Sequence, residues 1–289
     1  MTALDKTFIL TCLDDSEMSD SVIEHAIWLA KTNQLPIKFL HTIEHTHHSE
    51  HVHREGTITP NMTEKLLNEL SDEERIESKR LIADGKTILS NATDRAKLAG
   101  LTDIIAKQRH GRLQEVLQDL EVEIEIVVLG AKGEDHQGDK KGLGSQLEQA
   151  IRVLDKPVLI VKKPFATPRN LLLAYNGSPT SKKAIEIIKK DLFSLQLLKL
   201  HIISIDKNID QAKHLVNEVE AALLPLKAKL KTQAMTGEPV QVLTEYQQQH
   251  DIDLTLMGSF SHGKIHGFVF GSFTTQMLLN GSSNFVLLR

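Results

Sequence analysis

The chain has 289 residues, 40% of them apolar and 25% charged, with a net charge of −4. That length fits two domains at about 100–200 residues each, and the balance excludes a disordered chain and a strongly basic nucleic-acid binder. No apolar run approaches the ~20 residues that span a bilayer, the N-terminal run meets acid before it completes a signal-peptide core, and the single cysteine, Cys12, excludes an internal disulfide or a CxxC site.

In chain order, KTFILTCLDDS (Lys6–Ser16) predicts a strand over 7–13 that ends in an Asp-x-Ser turn. Val22, Ile23, Ala26, Ile27 and Ala30 then recur at helical spacing, with Ser21 and Glu24 placed as a capping box. IKFLHTIE (Ile37–Glu44) is a second strand with a Leu-His pair near its end. An extra stretch rich in histidine follows, then a long charged helix from about Thr63 to Leu98. HGRLQEVL (His110–Leu117), EIVVLGAKG (Glu125–Gly133), the pair Gly144–Ser145 and KPVLIVK (Lys156–Lys162) complete the first half.

Two prolines between Lys163 and Pro168 break any regular element, and the same series then returns. RNLLLAYNGS (Arg169–Ser178), LLKLHIISID (Leu197–Asp206), TGEPVQVL (Thr236–Leu243), LTLMGSFS (Leu254–Ser261), Gly271–Ser272 and NFVLLR (Asn284–Arg289) answer the six segments in order. A duplicated domain is expected, residues 1–163 with the His-rich insertion and residues 168–289. Continuous apolar strands alternating with helices predict a doubly wound parallel α/β sheet in each half. Ser178 and Pro179 are placed to cap the second half's first helix. The halves should form separate five-stranded sheets with 7–13 and 170–174 as equivalent strands.

In an open α/β sheet, ligands bind beyond the carboxyl ends of the strands. A Gly-rich loop entering a helix there offers unpaired N–H groups to phosphate. Gly258 and Ser261 are followed nine residues later by Gly271–Ser272, and Gly130 and Gly133 ten residues later by Gly144–Ser145. The competing reading is that these glycines serve tight turns only. GxGxxG after a first strand, a Walker GxxxxGK[ST] loop and a GxSxG elbow are all absent from the sequence.

These motifs, in this order and repeated twice, resemble the universal stress protein family in its tandem form, over almost the whole chain. The resemblance implies two Rossmann-like, adenine nucleotide α-hydrolase-like domains. It further implies an adenine nucleotide (ATP, ADP or AMP) held by the first-strand turn, a residue after the second-strand Leu-His pair, and the glycine segment. Carried over, the positions are Asp14, Thr42, Gly130, Gly133, Gly144 and Ser145 in the first half. In the second they are Asn176, Ile202, Gly258, Ser261, Gly271 and Ser272, with Lys264 in the loop.

Each half departs from the family pattern. The first has the longer loop, with Glu134, Asp135 and Asp139 opposing a phosphate and Lys132, Lys140 and Lys141 offsetting them. The second has Asn176 for the family Asp and Ser261 for the second glycine, but a cationic loop with His262, Lys264 and His266. Residues 1–163 carry 21 basic and 28 acidic side chains against 13 and 10 in 164–289, so electrostatics favours the second half.

Six histidines fall between His41 and His53. His47, His48, His51 and His53 are candidate ligands for zinc or another divalent metal, the bland reading being a solvated polar insertion. Cys12 and Trp28 read as core, and His110 and His201 as packing residues. No general base or third group stands in register with Ser16 or Ser178, so catalysis is not expected.

The sequence therefore predicts a cytoplasmic stress-response protein that binds an adenine nucleotide in at least one half and acts on a protein partner. A slow ATP hydrolase and a nucleotide-free scaffold with a metal- or partner-binding insertion are the alternatives. Pairing of KPVLIVK with NFVLLR would make the halves an intramolecular pseudo-dimer, and a further homodimer is open.

Overall fold

The computed structural model describes residues 7–43, 60–131, 147, 150–151, 153–194, 198–226, 229–259 and 271–289. The first half contains β1 (Phe8–Leu13), α1 (Ser19–Asn33), β2 (Ile37–Ile43), α2 (Pro60–Leu98), β3 (Ile104–His110), α3 (Leu113–Leu120), β4 (Ile124–Gly130) and β5 (Val158–Val161). The second contains β6 (Asn170–Ala174), α4 (Pro179–Lys189), β7 (Lys199–Ile205), α5 (Ile209–Leu223), β8 (Lys229–Met235), α6 (Pro239–Gln249), β9 (Leu254–Gly258), α7 (Ser272–Asn280) and β10 (Asn284–Leu288).

The strands form one sheet in the order β3-β2-β1-β4-β5-β10-β9-β6-β7-β8. Each half contributes five parallel strands in the doubly wound order, as the alternating pattern predicts. The expectation of two separate sheets is corrected, whereas the expected pairing of KPVLIVK with NFVLLR is present. β5 and β10 pair antiparallel, with Leu159 opposite Val286, and merge the halves into a single ten-stranded sheet. The reason lies in the edges: both strands are wholly buried runs, and leaving either unpaired would expose its apolar side chains together with a row of unpaired backbone N–H and C=O groups.

Strand alternation divides the core into two layers. Ile9, Leu171, Leu200, Ile202 and Leu256 face α1, α2, α4 and α5 in one apolar cluster that runs through both halves. Leu10, Leu172, Ile203, Met257 and Phe285 face α3, α6 and α7 in the other. Each buried Leu, Ile or Val stabilises by about 1.5–3 kcal/mol relative to exposure, so both layers tie the halves together. Trp28 packs partly buried against the first layer, and Cys12 is buried in the second, where burial pushes its thiol up to about 12.

Polar contacts reinforce the junction. His25 on α1 donates from Nδ1 to the Ser21 carbonyl (2.7 Å) and accepts at Nε2 from Asn284 Nδ2 (2.9 Å). Asn284 Oδ1 in turn accepts from the backbone N–H groups of Lys162 (2.8 Å) and Lys163 (3.1 Å).

Helix starts divide by chemistry. Ser178 caps α4 by accepting from Ser181 N, with Pro179 in the first turn, as predicted. The Ser21–Glu24 capping box does not form. α1 starts earlier, after Met18, where Ser19 Oγ donates to the Asp14 carbonyl, and Glu24 is drawn off to Arg95 on α2 (2.6 Å). α2 starts at Pro60, before the expected Thr63, with proline in a position where its missing N–H costs nothing.

Candidate functional site

In both halves the order of strands reverses beside the first strand, at β1/β4 and at β6/β9, and the crevice beyond their carboxyl ends is the ligand position of such sheets. In the second half this crevice is a cavity of about 280 Å³. Its walls are Ile203 and Ile205 from β7, Met257 and Gly258 from β9, Leu243 from α6 and Phe273 from α7, with Asn176 and Ser178 at its mouth. A volume near 300 Å³ with apolar walls and a few polar groups is that of a small-molecule site.

The mouth is shaped locally. Asn176 Oδ1 accepts from Ser178 N (3.1 Å), an Asx turn that fixes the chain between β6 and α4. Gly177 sits at φ +73°, a conformation that favours glycine, and a Cβ there would lie 2.8 Å from Leu215 Cδ2 and displace that methyl. At Gly258 a Cβ would come within 3.0 Å of Thr180 Cγ2; β9 and α4 close on each other there because the side chain is missing.

The floor and α7 are held by hydroxyls. Ser259 donates from N (2.7 Å) and Oγ (2.8 Å) to the Leu288 carbonyl, and Thr274 Oγ1 donates to the Ser259 carbonyl (3.0 Å). α7 begins directly after Gly271, which makes no side-chain cap, so its first-turn N–H groups point out of the helix beside the cavity. Gly271 and Ser272 thus stand at the helix start, where the spacing placed them. Ser261, Lys264, Gly133, Gly144, Ser145, His47, His48, His51 and His53 lie outside the described residues.

The ladder registers reassign one position. The pairs Leu13↔His41 and Ala174↔Ile203, with the Asp14 turn matched to the Asn176 turn, make Leu40 the counterpart of Ile203 and Thr42 that of Ile205. The Leu200–His201 pair is therefore displaced three residues from Leu40–His41, and an odd shift turns a side chain to the opposite face. Ile202 is fully buried in the layer away from the cavity, whereas Ile203 and Ile205 line it. Sequence reasoning passed over Ile203, Ile205, Met257 and Phe273; alternation counted back from the Asn176 turn would have found the first two.

In the first half, Asp14, Thr42 and Gly130 come together at the carboxyl ends of β1, β2 and β4. The Asp14 carboxylate accepts from Ser16 N (3.2 Å), the same turn as at Asn176. Behind it stands His41, buried against α2, where a Cβ on Gly85 would meet His41 Nδ1 at 2.6 Å. Burial holds the His41 imidazole below its ordinary range, opposed by the carboxylates of Asp14, Asp15 and Asp84.

His201 takes the place of Lys38, on the second layer and away from the crevice. Its Nδ1 shares a hydrogen bond with Tyr246 Oη (2.9 Å), and burial, with Lys199, Lys231 and His250 adding to it, pushes its pKa down to about 4. Lys38 itself is buried over the Phe8 ring at 3.6 Å. His201 is a packing residue, as expected; His110 is exposed at the end of β3. Among the described residues there is no group of three or more His, Cys, Asp or Glu side chains that could hold a metal ion. No helix among them is long and apolar enough to cross a membrane.

A doubly wound sheet with a crevice beyond its strand ends and a helix start beside it places the chain among the doubly wound, Rossmann-like α/β proteins. Comparison with known proteins narrows the class: the model of the universal stress protein family matches residues 8–162 and again 168–289, and the chain belongs to that family. It is 31% identical over 274 residues to the universal stress protein Slr1230 of Synechocystis sp., covering 93% of this chain and 95% of that protein. Its fold is shared with a universal stress protein of Archaeoglobus fulgidus, at a TM-score of 0.70, 18% identity and 99% coverage of both chains. A functionally unknown protein of Pseudomonas aeruginosa, PA1789, shares it at a TM-score of 0.60 and 16% identity, over 98% of this chain and 92% of that one.

Proposed function

We propose that the chain binds an adenine nucleotide in the second-half crevice and acts in the cytoplasm by binding, the occupied state being read by a protein partner. The observation that carries this reading is the cavity between Ile205, Met257 and Phe273, open at Asn176 and bordered by the start of α7. Its apolar walls suit a flat base, the Asx turn gives the mouth a fixed polar edge, and the first-turn N–H groups of the helix start suit phosphate. The surplus of basic residues in the second half favours an anion there over the first half. Nucleotide occupancy that favours one surface conformation over another shifts a population, which requires no turnover.

Calorimetric titration with ATP, ADP and AMP tests this. One saturable site is expected, abolished or greatly weakened by Gly271→Val, whose side chain would occupy the approach to the helix start. Absence of binding by all three up to millimolar concentration, a free energy of about −4 kcal/mol, would remove the nucleotide from the account.

A further inference from the structure

The sheet ends at β3, and between that strand and α2 runs an open groove of about 440 Å³. Leu89, Ser90, Thr93 and Asp94 of α2 face Ala106 and Gln108 of β3 across it, with Lys86 and Lys97 also in the lining and Lys97 4.0 Å from Asp94. The bonds from Ile37 N to the Asp103 carbonyl (3.0 Å) and from Gly111 N to the Ile43 carbonyl (3.1 Å) fix which β3 residues point inward. By the parallel ladder, Ile105, Lys107 and Arg109 bond to β2, while Ala106 and Gln108 turn both N–H and C=O outward. Neither has a backbone partner among the described residues.

At the other end of the sheet Thr232 Oγ1 on β8 donates to Glu220 on α5 (2.7 Å), and at β3 Gln108 Nε2 donates to the Leu81 and Ile82 carbonyls of α2 (3.4 Å each). β3 exposes Ile105 at 36%, Lys107, and Arg109 at 3.8 Å from Asp119. Lys86 and Lys107 have no ion pair among the described residues. Two copies of β3 would set Lys107 and Arg109 of each against the other, which disfavours self-pairing.

We propose that the β3–α2 groove captures an extended acidic segment of a partner protein as an added strand. Its backbone pairs with Ala106 and Gln108. Its apolar side chains lie over Leu89 and Ala106 on the α2 face, and its carboxylates lie beside Lys107 and Arg109 on the other. This is recognition by strand addition, in which main-chain bonds hold the segment and alternate side chains select it. It is independent of the nucleotide site, which lies at the opposite end of the sheet.

The test uses the full chain and a fluorescent octapeptide, Thr-Val-Glu-Val-Glu-Val-Glu-Thr, with the peptide bearing Lys in place of Glu as counter-probe. Anisotropy should show saturable binding of the acidic peptide only, and amide exchange should slow in the β3 segment. Lys107→Glu, on the surface, should weaken binding about tenfold or more. Ala106→Pro, which removes an outward N–H and no ladder bond, should do the same. If Ala106→Pro does not fold, Lys107→Glu still decides. No binding at millimolar peptide, equal binding of the Lys peptide, indifference to Lys107→Glu, or a concentration-dependent dimer that Lys107→Glu dissolves would each overturn the proposal.

Discussion

Leu159 and Val286 lie directly opposite each other in the antiparallel pairing of β5 with β10, and both are fully buried. The flanking pairs, Val158 with Leu287 and Ile160 with Phe285, interchange when the halves are exchanged. A local twofold axis thus passes between Leu159 and Val286, and the chain makes within itself the self-complementary contact by which separate protomers form an isologous dimer. The consequence is one sheet shared by the two family units, with two core layers that each run through both halves.

That continuity predicts a single unfolding transition. Leu256→Ala, buried in the second half, should cost about 2–5 kcal/mol. It should lower the urea midpoint reported by Trp28 fluorescence, although Trp28 sits in the first half. An unchanged Trp28 midpoint, with a second transition seen only by circular dichroism, would show that the halves unfold separately.

Three buried histidines set the acid limb of stability. Burial holds His25, His41 and His201 below the ordinary imidazole value of 6.5, His201 at about 4. Each is neutral in the folded chain, so below pH 6.5 the unfolded chain binds more protons. Stability from these groups is complete above about pH 6.5 and is lost progressively as pH falls toward 4. His201→Gln should make that decline shallower in urea midpoints measured across the range; an unaltered slope would count against it.

Cys12 should be chemically silent. A buried thiol pushed up to about 12 has almost no thiolate at neutral pH. Labelling with iodoacetamide should proceed only at the rate of unfolding and should accelerate in urea. Prompt labelling of the native chain would contradict the burial of β1.

Gly177 is a turn residue with little freedom to change. Gly177→Ala must hold φ near +73° and displace Leu215, at a cost of about 1–3 kcal/mol. Thermal denaturation should show the loss, and nucleotide affinity should fall with it because Asn176 and Ser178 flank the position.

Much of this was legible in the residues. The repeated strands, the Ser178–Pro179 helix start and the placing of Gly271–Ser272 at a helix start follow from local chemistry. The register of β7 was not, since two identical Leu-His pairs offer a false match and only strand pairing shows the three-residue displacement. Nor was the fate of the Ser21–Glu24 box, because Arg95, far along the chain, claims Glu24. The pairing of KPVLIVK with NFVLLR was legible as two apolar edges that need a partner, and β5 meets β10 accordingly. That this pairing yields one ten-stranded sheet instead of two is not encoded in the periodicity within a strand.

The most direct test of the central claim is methyl NMR of the isoleucine-labelled chain during AMP addition. The account predicts saturable shifts of the Ile203 and Ile205 methyls, which line the cavity, with Ile202 on the far side of the sheet and Ile9 and Ile37 in the first half unmoved. Shifts confined to first-half isoleucines such as Ile43, or no shift at millimolar AMP, would contradict it.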